Sequence, residues 1–288
     1  MFTQTRALSA KSENDCGSRW YHLGRRILPL RGARLAANAE ARIGFDDAAT
    51  PAVRTRLSVL AWSLESEANL HFVGRFLARK YLQDLLETRL RLTREWLGSS
   101  PADMQPITRP VFITGMPRSG STFLHELLAE DPGNRAPRIW EVMFPLAARF
   151  PGTRAADRAV RNTAACLWWF RRLAPRADLV CPLRATTPQE CIAIQSYTLL
   201  SQEFPTMFRV PTYEAFLNLS DFTPAYKWEK RFLQHLQSSH PSRQWVLKAP
   251  DHIFSLDALF QVFPDAVVIQ THRNPFDVLK SSIQLTEV

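Results

Sequence analysis

Pro110-Val-Phe-Ile-Thr-Gly-Met-Pro-Arg-Ser-Gly-Ser-Thr-Phe123 runs an apolar strand into a glycine-bounded loop and then into a helix start. That order of elements makes a phosphate cradle. Backbone N–H groups of the loop point inward together, and the first turn of the helix adds unsatisfied donors and the positive end of its dipole. From Gly115 to Gly120 the spacing fits the nucleotide-triphosphate loop G-x-x-x-x-G-K-[ST], but Ser121 stands where that loop carries its lysine. The cation sits inside the loop, as Arg118. The pattern implies a nucleotide with a phosphate on its 5′ side and no γ-phosphate to grip.

Two further stretches answer the first. Gln244-Trp-Val-Leu-Lys-Ala-Pro250 and Ala266-Val-Val-Ile-Gln-Thr-His-Arg-Asn-Pro275 each read as a short buried strand entering a polar turn, the second opening a helix near Pro275. Ligands of open α/β sheets gather at such strand ends. Arg273 and Ser281 lie one at the strand exit and one about two turns into the helix, so they can close on one anionic group from two sides.

Together, Pro117-Arg-Ser-Gly-Ser-Thr-Phe123 and Thr271-His-Arg-Asn-Pro-Phe-Asp-Val-Leu-Lys-Ser281 resemble the two cofactor signatures of sulfotransferases that use 3′-phosphoadenosine 5′-phosphosulfate (PAPS). Asp131-Pro, Arg135-Ala-Pro-Arg-Ile-Trp-Glu-Val-Met-Phe-Pro145 and Leu247-Lys-Ala-Pro-Asp-His252 are similar to the bacterial-type branch, whose acceptors include lipids and carbohydrates. The likeness runs from about Leu57 to the C-terminus. It implies that Arg118, Ser119, Gly120, Ser121, Thr122 and Phe123 hold the 5′-phosphosulfate and that Arg273 and Ser281 hold the 3′-phosphate. It also implies PAPS as co-substrate without a metal, and a small-molecule, lipid or carbohydrate acceptor. Glu141 is the first choice of base and His252 the runner-up, with Arg118 acting on the leaving phosphate. Lys248 is expected to touch sulfate or acceptor, or to pair with Asp251 or Asp277. The family pattern continues past the 3′-phosphate helix, whereas this sequence stops at Val288, seven residues after Ser281, so its C-terminal part is expected to be missing. A P-loop kinase or nucleotide-binding protein, or a truncated, catalytically weak homologue, is the alternative.

The expected fold is α/β, a mainly parallel central sheet with a P-loop-like loop, flanked by helices and capped by an N-terminal helical segment. Residues 1–50 read as an irregular or mobile arm, loosely helical at most; 51–100 as the helical cap; and 101–288 as the α/β domain. Leu57, Leu60 and Leu64, then Phe72, Val73, Phe76 and Leu77, then Tyr81, Leu85 and Leu86 recur at helical spacing. Further helices are expected around 156–173, 188–202, 224–239 and 253–262, with Thr187-Pro188 and Thr223-Pro224 as N-cap and N1 pairs. The aromatic run Cys166-Leu-Trp-Trp-Phe170, with Phe204, Met207 and Phe208, is a candidate acceptor lining or ordinary core.

The formal charge of +9 is concentrated early, with 17 Lys and Arg against 11 Asp and Glu in residues 1–110 and Arg25, Arg26, Arg31 and Arg34 close together. Such a surplus reads as a solvated basic face, or as attraction to an anionic cofactor or to peripheral membrane contact. It comes without a nucleic-acid recognition motif, so no nucleic-acid partner is expected. No run of 18 apolar residues and no apolar leader follows Met1, which points to a cytoplasmic protein. Cys16, Cys166, Cys181 and Cys191 show no metal-type spacing and fit reduced thiols. Oligomeric state is open to either a monomer or a homo-oligomer.

Overall fold

A computed structural model describes residues 27–45, 51–98, 105–173, 183–238 and 244–286. The chain divides into two compact units: Met1–Trp96 with Gln202–Ser220, and Leu97–Ser201 with Asp221–Val288. Arg25, Arg26, Cys16 and Cys181 lie outside the described residues.

The first unit is helical. α1 (Gly32–Ile43), α2 (Pro51–Ser66) and α3 (Phe72–Leu97) bury Leu35, Leu57, Leu60, Leu64, Leu82, Leu85 and Leu86. α1 falls within the stretch expected to be irregular, and Gly44, at φ 64°, ends it by donating its N–H to the Glu40 carbonyl over 2.9 Å. Phe72, Val73, Phe76 and Leu77 stay exposed, contrary to their periodicity. The buried face of α3 instead begins at Arg75, fully enclosed, which pairs with Glu65 and donates to the Leu28 carbonyl over 3.3 Å. Residues 202–220, expected within the α/β domain, belong to this helical unit. Phe204 is fully buried, its ring edge-on to Tyr81 and Tyr213 at 6.2 and 5.6 Å.

The second unit is built on a four-stranded parallel sheet: β1 (Val111–Gly115), β2 (Asn134–Arg135), β3 (Gln244–Lys248) and β4 (Val267–Thr271), in the order β2-β3-β1-β4. Alternation along β1 makes two cores. Val111 and Ile113 pack with Val246 against Leu124 and Leu128 of α4 (Ser121–Ala129). Phe112, on the other face, meets Phe263, His252 and Tyr226 with ring centroids at 5.2, 5.0 and 6.4 Å. This places a central strand between helical layers with its loop at the carboxyl edge.

Between these strands run α5 (Ile139–Met143), α6 (Pro145–Ala148), α7 (Arg154–Leu173), α8 (Cys191–Gln195), α9 (Glu203–Met207), α10 (Pro211–Asn218), α11 (Thr223–Gln237), α12 (Leu256–Val262) and, after β4, α13 (Pro275–Thr286). α9 and α10 belong to the first unit. Three expectations are corrected. Thr187-Pro188 does not start a helix, because Pro188 forms an antiparallel bridge with Arg138 and the Thr187 carbonyl accepts the Ile139 N–H over 3.1 Å. α8 therefore begins at Cys191, continues as a 3-10 turn over Ser196–Thr198 and stops where Leu199 takes a left-handed conformation, φ 56°. Among the described residues β4 stands at the end of the sheet, with Val267 exposed rather than buried. Among the described residues, no helix is long and apolar enough to cross a membrane.

Candidate functional site

The loop after β1 is shaped by two glycines. Gly115 has φ 142°, and a Cβ there would meet the Thr271 hydroxyl and lie 2.6 Å from the Thr271 carbonyl oxygen, so β1 and β4 approach this closely only with glycine. Gly120, at φ 93°, is the N-cap of α4 and offers no capping side chain. Helix geometry leaves the amides of Ser121, Thr122 and Phe123 without intrahelical acceptors, so this helix end presents donors to an anion. Ser119 ties the loop to β4, its Oγ lying 2.6 Å from Thr271 Oγ1 and donating to the Met116 carbonyl over 2.5 Å. Its backbone N–H also donates to the Met116 carbonyl over 3.1 Å, so both polar groups of Ser119 are used by the scaffold and the free amides begin at Gly120. Ser121 is buried, while Thr122 and Phe123 face solvent.

The two signatures meet at Arg118, a non-glycine residue in the left-handed region with φ 69°. Its Nε donates to Ser281 Oγ over 2.9 Å, and its carbonyl accepts from Arg273 Nη1 over 3.2 Å. Two exposed guanidinium groups, a serine hydroxyl and a helix N-terminus therefore share one edge of the sheet, a set suited to a ligand with more than one phosphate.

Lys248 closes β3 one strand away, in register with Ile113. It is almost fully buried and reaches Thr122 Oγ1 at 3.2 Å. Its ionic partner is Glu190, rather than Asp251 or Asp277. Glu190 keeps about a third of its side chain exposed, at 34%. Sequence reasoning missed it because Thr187-Pro188 imitates a helix start that would have enclosed it within a regular helix. The only hint was a carboxylate just before a short apolar run.

Glu141 and His252 are placed differently from that group. Glu141 is the N3 residue of α5 and acts as a cap, accepting the Arg138 N–H over 2.8 Å and the Arg135 guanidinium over 3.0 Å. The backbone of Arg135 is in register with Trp245, three residues before Lys248, and its guanidinium lies 4.7 Å from the Trp245 ring. His252 is wholly enclosed, its Nδ1 2.8 Å from the Tyr226 hydroxyl. Burial, helped by Lys248, lowers its pKa to about 3, which keeps the ring neutral. Near it, burial raises Asp251 to about 6 and Glu229 to about 7. Glu229 accepts from Gln195 Nε2 over 3.0 Å.

A cavity of about 1060 Å³ opens beside the later turns of α4, lined by Glu126, Glu130, Arg135, Arg138, Glu141 and Arg184 among others. Its rim includes Thr187 and Pro188, two to three residues before Glu190. Cys166–Phe170 are not part of this lining; Trp168, Trp169 and Phe170 are exposed on α7, and Phe204 is core.

A family model described as the sulfotransferase family matches residues 110–288. The curated omega-hydroxy-beta-dihydromenaquinone-9 sulfotransferases Stf3 of Mycobacterium bovis and Mycobacterium tuberculosis are 31% identical over 194 residues, which is 61% of this chain and 45% of theirs. The match thus takes in less than half the length of those relatives. Among solved structures, sulfotransferase STF1 from Mycobacterium tuberculosis superposes with a TM-score of 0.68 at 30% identity, over 84% of this chain and 67% of that one. Sulfotransferase STF9 from Mycobacterium avium does so with a TM-score of 0.73 at 26% identity, over 88% and 66%. With the glycine loop, the Arg273–Ser281 pair and the parallel sheet all within the matched region, the chain belongs to the sulfotransferase family.

Proposed function

We propose that the protein transfers a sulfuryl group from PAPS to a hydroxyl acceptor. The observation that carries this reading is the convergence of Arg273 and Ser281 on Arg118, because it brings two anion-binding groups within the span of one nucleotide. On this reading the 5′-phosphosulfate lies on the amides of 120–122 and the 3′-phosphate between Arg273 and Ser281, while Ser119, whose N–H is held by the Met116 carbonyl, shapes the loop. A triphosphate ligand is disfavoured by Ser121 in the place of a lysine. In space, Lys248 supplies a cation beside Thr122 from the neighbouring strand.

In the reaction the acceptor oxygen attacks sulfur in line, the bond from sulfur to the bridging phosphate oxygen breaks, and the acceptor proton passes to a carboxylate. Arg118 and Lys248 stabilise charge on the departing phosphate, so positioning and electrostatics carry the rate. Glu190 is the better-placed base, since it touches Lys248 and remains partly open to solvent. Glu141, bound on both oxygens, serves to hold α5 and the cavity wall. A lipid acceptor, as named for the Stf3 relatives, is one class the cavity is to be tested with.

The experiment is single-turnover transfer from radiolabelled PAPS to a panel of lipid, sugar and phenol hydroxyls, alongside calorimetry with 3′-phosphoadenosine 5′-phosphate (PAP) and with ATP. PAP binding with weaker or absent ATP binding supports the reading; the reverse order overturns it. Glu190→Gln lowers transfer by about 100-fold or more with PAP affinity retained, whereas Glu141→Gln acts mainly on stability. Loss of chemistry in Glu141→Gln alone returns the base to Glu141.

A further inference from the structure

α7 buries Ala156, Ala159 and Thr163 and turns its other face to water. At about 100° per residue, Arg154, Arg161, Trp168 and Arg172 fall within an arc of about 40°, with Arg158 and Trp169 beside them. Trp168 is 51% exposed and Trp169 62%. Their rings stand edge to face at 4.9 Å, and the Arg172 guanidinium lies 5.6 Å from the Trp168 ring. The helix carries five arginines against one aspartate. Among the described residues, Arg154, Arg158, Arg161 and Arg172 form no ion pair.

Two large indoles held in water beside unneutralised arginines are a costly surface for a protein that keeps them there. A second copy of the same face would set arginine against arginine. An anionic bilayer satisfies both halves: indoles sit at headgroup depth, where ring and N–H both find partners, and arginines meet lipid phosphates. We propose that this face of α7 docks the protein on anionic membrane. The helix of 20 residues, about 30 Å long, lies along the surface. Pro151, on the cavity rim just before α7, is thereby brought close to the lipid plane. The docking stands whatever the acceptor proves to be.

The test is flotation of the full chain with vesicles of phosphatidylcholine alone or with one third phosphatidylglycerol, at low and high salt. Wild type floats with the anionic vesicles and releases in salt. Trp168→Ser/Trp169→Ser loses flotation with its thermal midpoint unchanged, and Arg161→Gln/Arg172→Gln binds about 25-fold more weakly, about fivefold per arginine. Absence of wild-type flotation, equal flotation on uncharged vesicles, or undiminished flotation of the tryptophan variant overturns the proposal. So does a wild-type oligomer that the tryptophan variant dissolves without any vesicle binding, which would name a second copy as the occupant. A collapsed midpoint in the tryptophan variant would show the rings to be buried and equally overturn it. PAP affinity, measured in parallel, separates failure of docking from failure of the sulfuryl-transfer reading.

Discussion

Gly115→Ala tests how the fold brings together the glycine loop and the exit of β4, and with them the two groups proposed to bind anions. The added methyl meets two obstacles on β4, the Thr271 hydroxyl and, at 2.6 Å, the Thr271 carbonyl oxygen, which is backbone and cannot rotate away. Alanine must also adopt φ 142° or force the turn to change. Backbone strain of about 1–3 kcal/mol and overpacking of about 1–3 kcal/mol sum to about 2–6 kcal/mol, a large share of a domain's stability. Gly120→Ala is the matched control: its φ of 93° imposes strain, but nothing lies within 4 Å of the new Cβ, so about 1–3 kcal/mol is expected. Urea denaturation followed by tryptophan fluorescence measures the difference, and calorimetry with PAP measures its consequence. If β4 moves outward, Arg273 leaves the Arg118 carbonyl, and affinity falls in Gly115→Ala beyond what the stability loss explains. Adding Thr271→Ala relieves the side-chain contact only, so rescue is partial. Equal stability of the two glycine variants, or full rescue by Thr271→Ala, refutes the account of a backbone-limited approach.

Three other outcomes follow from the same geometry. Arg273→Ala weakens PAP binding by about 10- to 100-fold, the range for one charge-assisted phosphate contact, with an unchanged urea midpoint because the side chain is exposed. Arg118→Ala lowers single-turnover transfer by orders of magnitude, since it touches both the loop and Ser281. Stability also falls as pH rises from about 4.5 to about 7, because Glu229 is raised to about 7 by burial while the unfolded chain releases that proton near 4.5. The folded state then holds more protons than the unfolded one, a loss on the order of 3 kcal/mol that is complete above about pH 7. Asp251, raised to about 6, adds in the same direction. Glu229→Gln flattens most of that slope in urea titrations between pH 4 and 8; an unchanged slope places the proton elsewhere.

The elements whose signal is local were legible in the sequence. Gly115 and Gly120 bracket a loop that only their backbone freedom permits, and the apolar runs 244–248 and 267–271 are strands as read. What escaped depends on partners distant in the chain. β2 is two residues long, too short for any periodicity, and exists because Asn134 and Arg135 pair with Gln244 and Trp245. The stretch before Glu190 is extended because its backbone pairs with Arg138–Trp140, a relation no local pattern carries. Nothing in Pro250-Asp-His252 announces that the imidazole is enclosed by Phe112 and Tyr226. The glycine loop and its flanking strands were thus written in neighbouring residues, and the placement of acids and bases was not.

Arg118 joins the two signatures in the structure, and in the proposed reading it makes them one site. Its left-handed backbone is held by the Arg273 guanidinium on its carbonyl, and its side chain is held by the Ser281 hydroxyl. In the Arg118–Ser281 bond the serine oxygen accepts, which leaves the serine O–H free to donate to a phosphate, and Arg118 retains its terminal N–H groups for the same purpose. In the proposed mode, a phosphate arriving between Arg273 and Ser281 tightens the contacts that fix the loop leading to the amides of 120–122. An anion on those amides, in turn, orients Arg118 toward Ser281. If PAP binds as proposed, binding at either end is expected to lower the ordering cost at the other through this one residue. It follows that the affinity losses on removing the 3′- and the 5′-phosphate singly sum to more than the loss on removing both, measured with PAP, the two adenosine monophosphates and adenosine. Strictly additive losses in calorimetry would mean that the two ends bind independently.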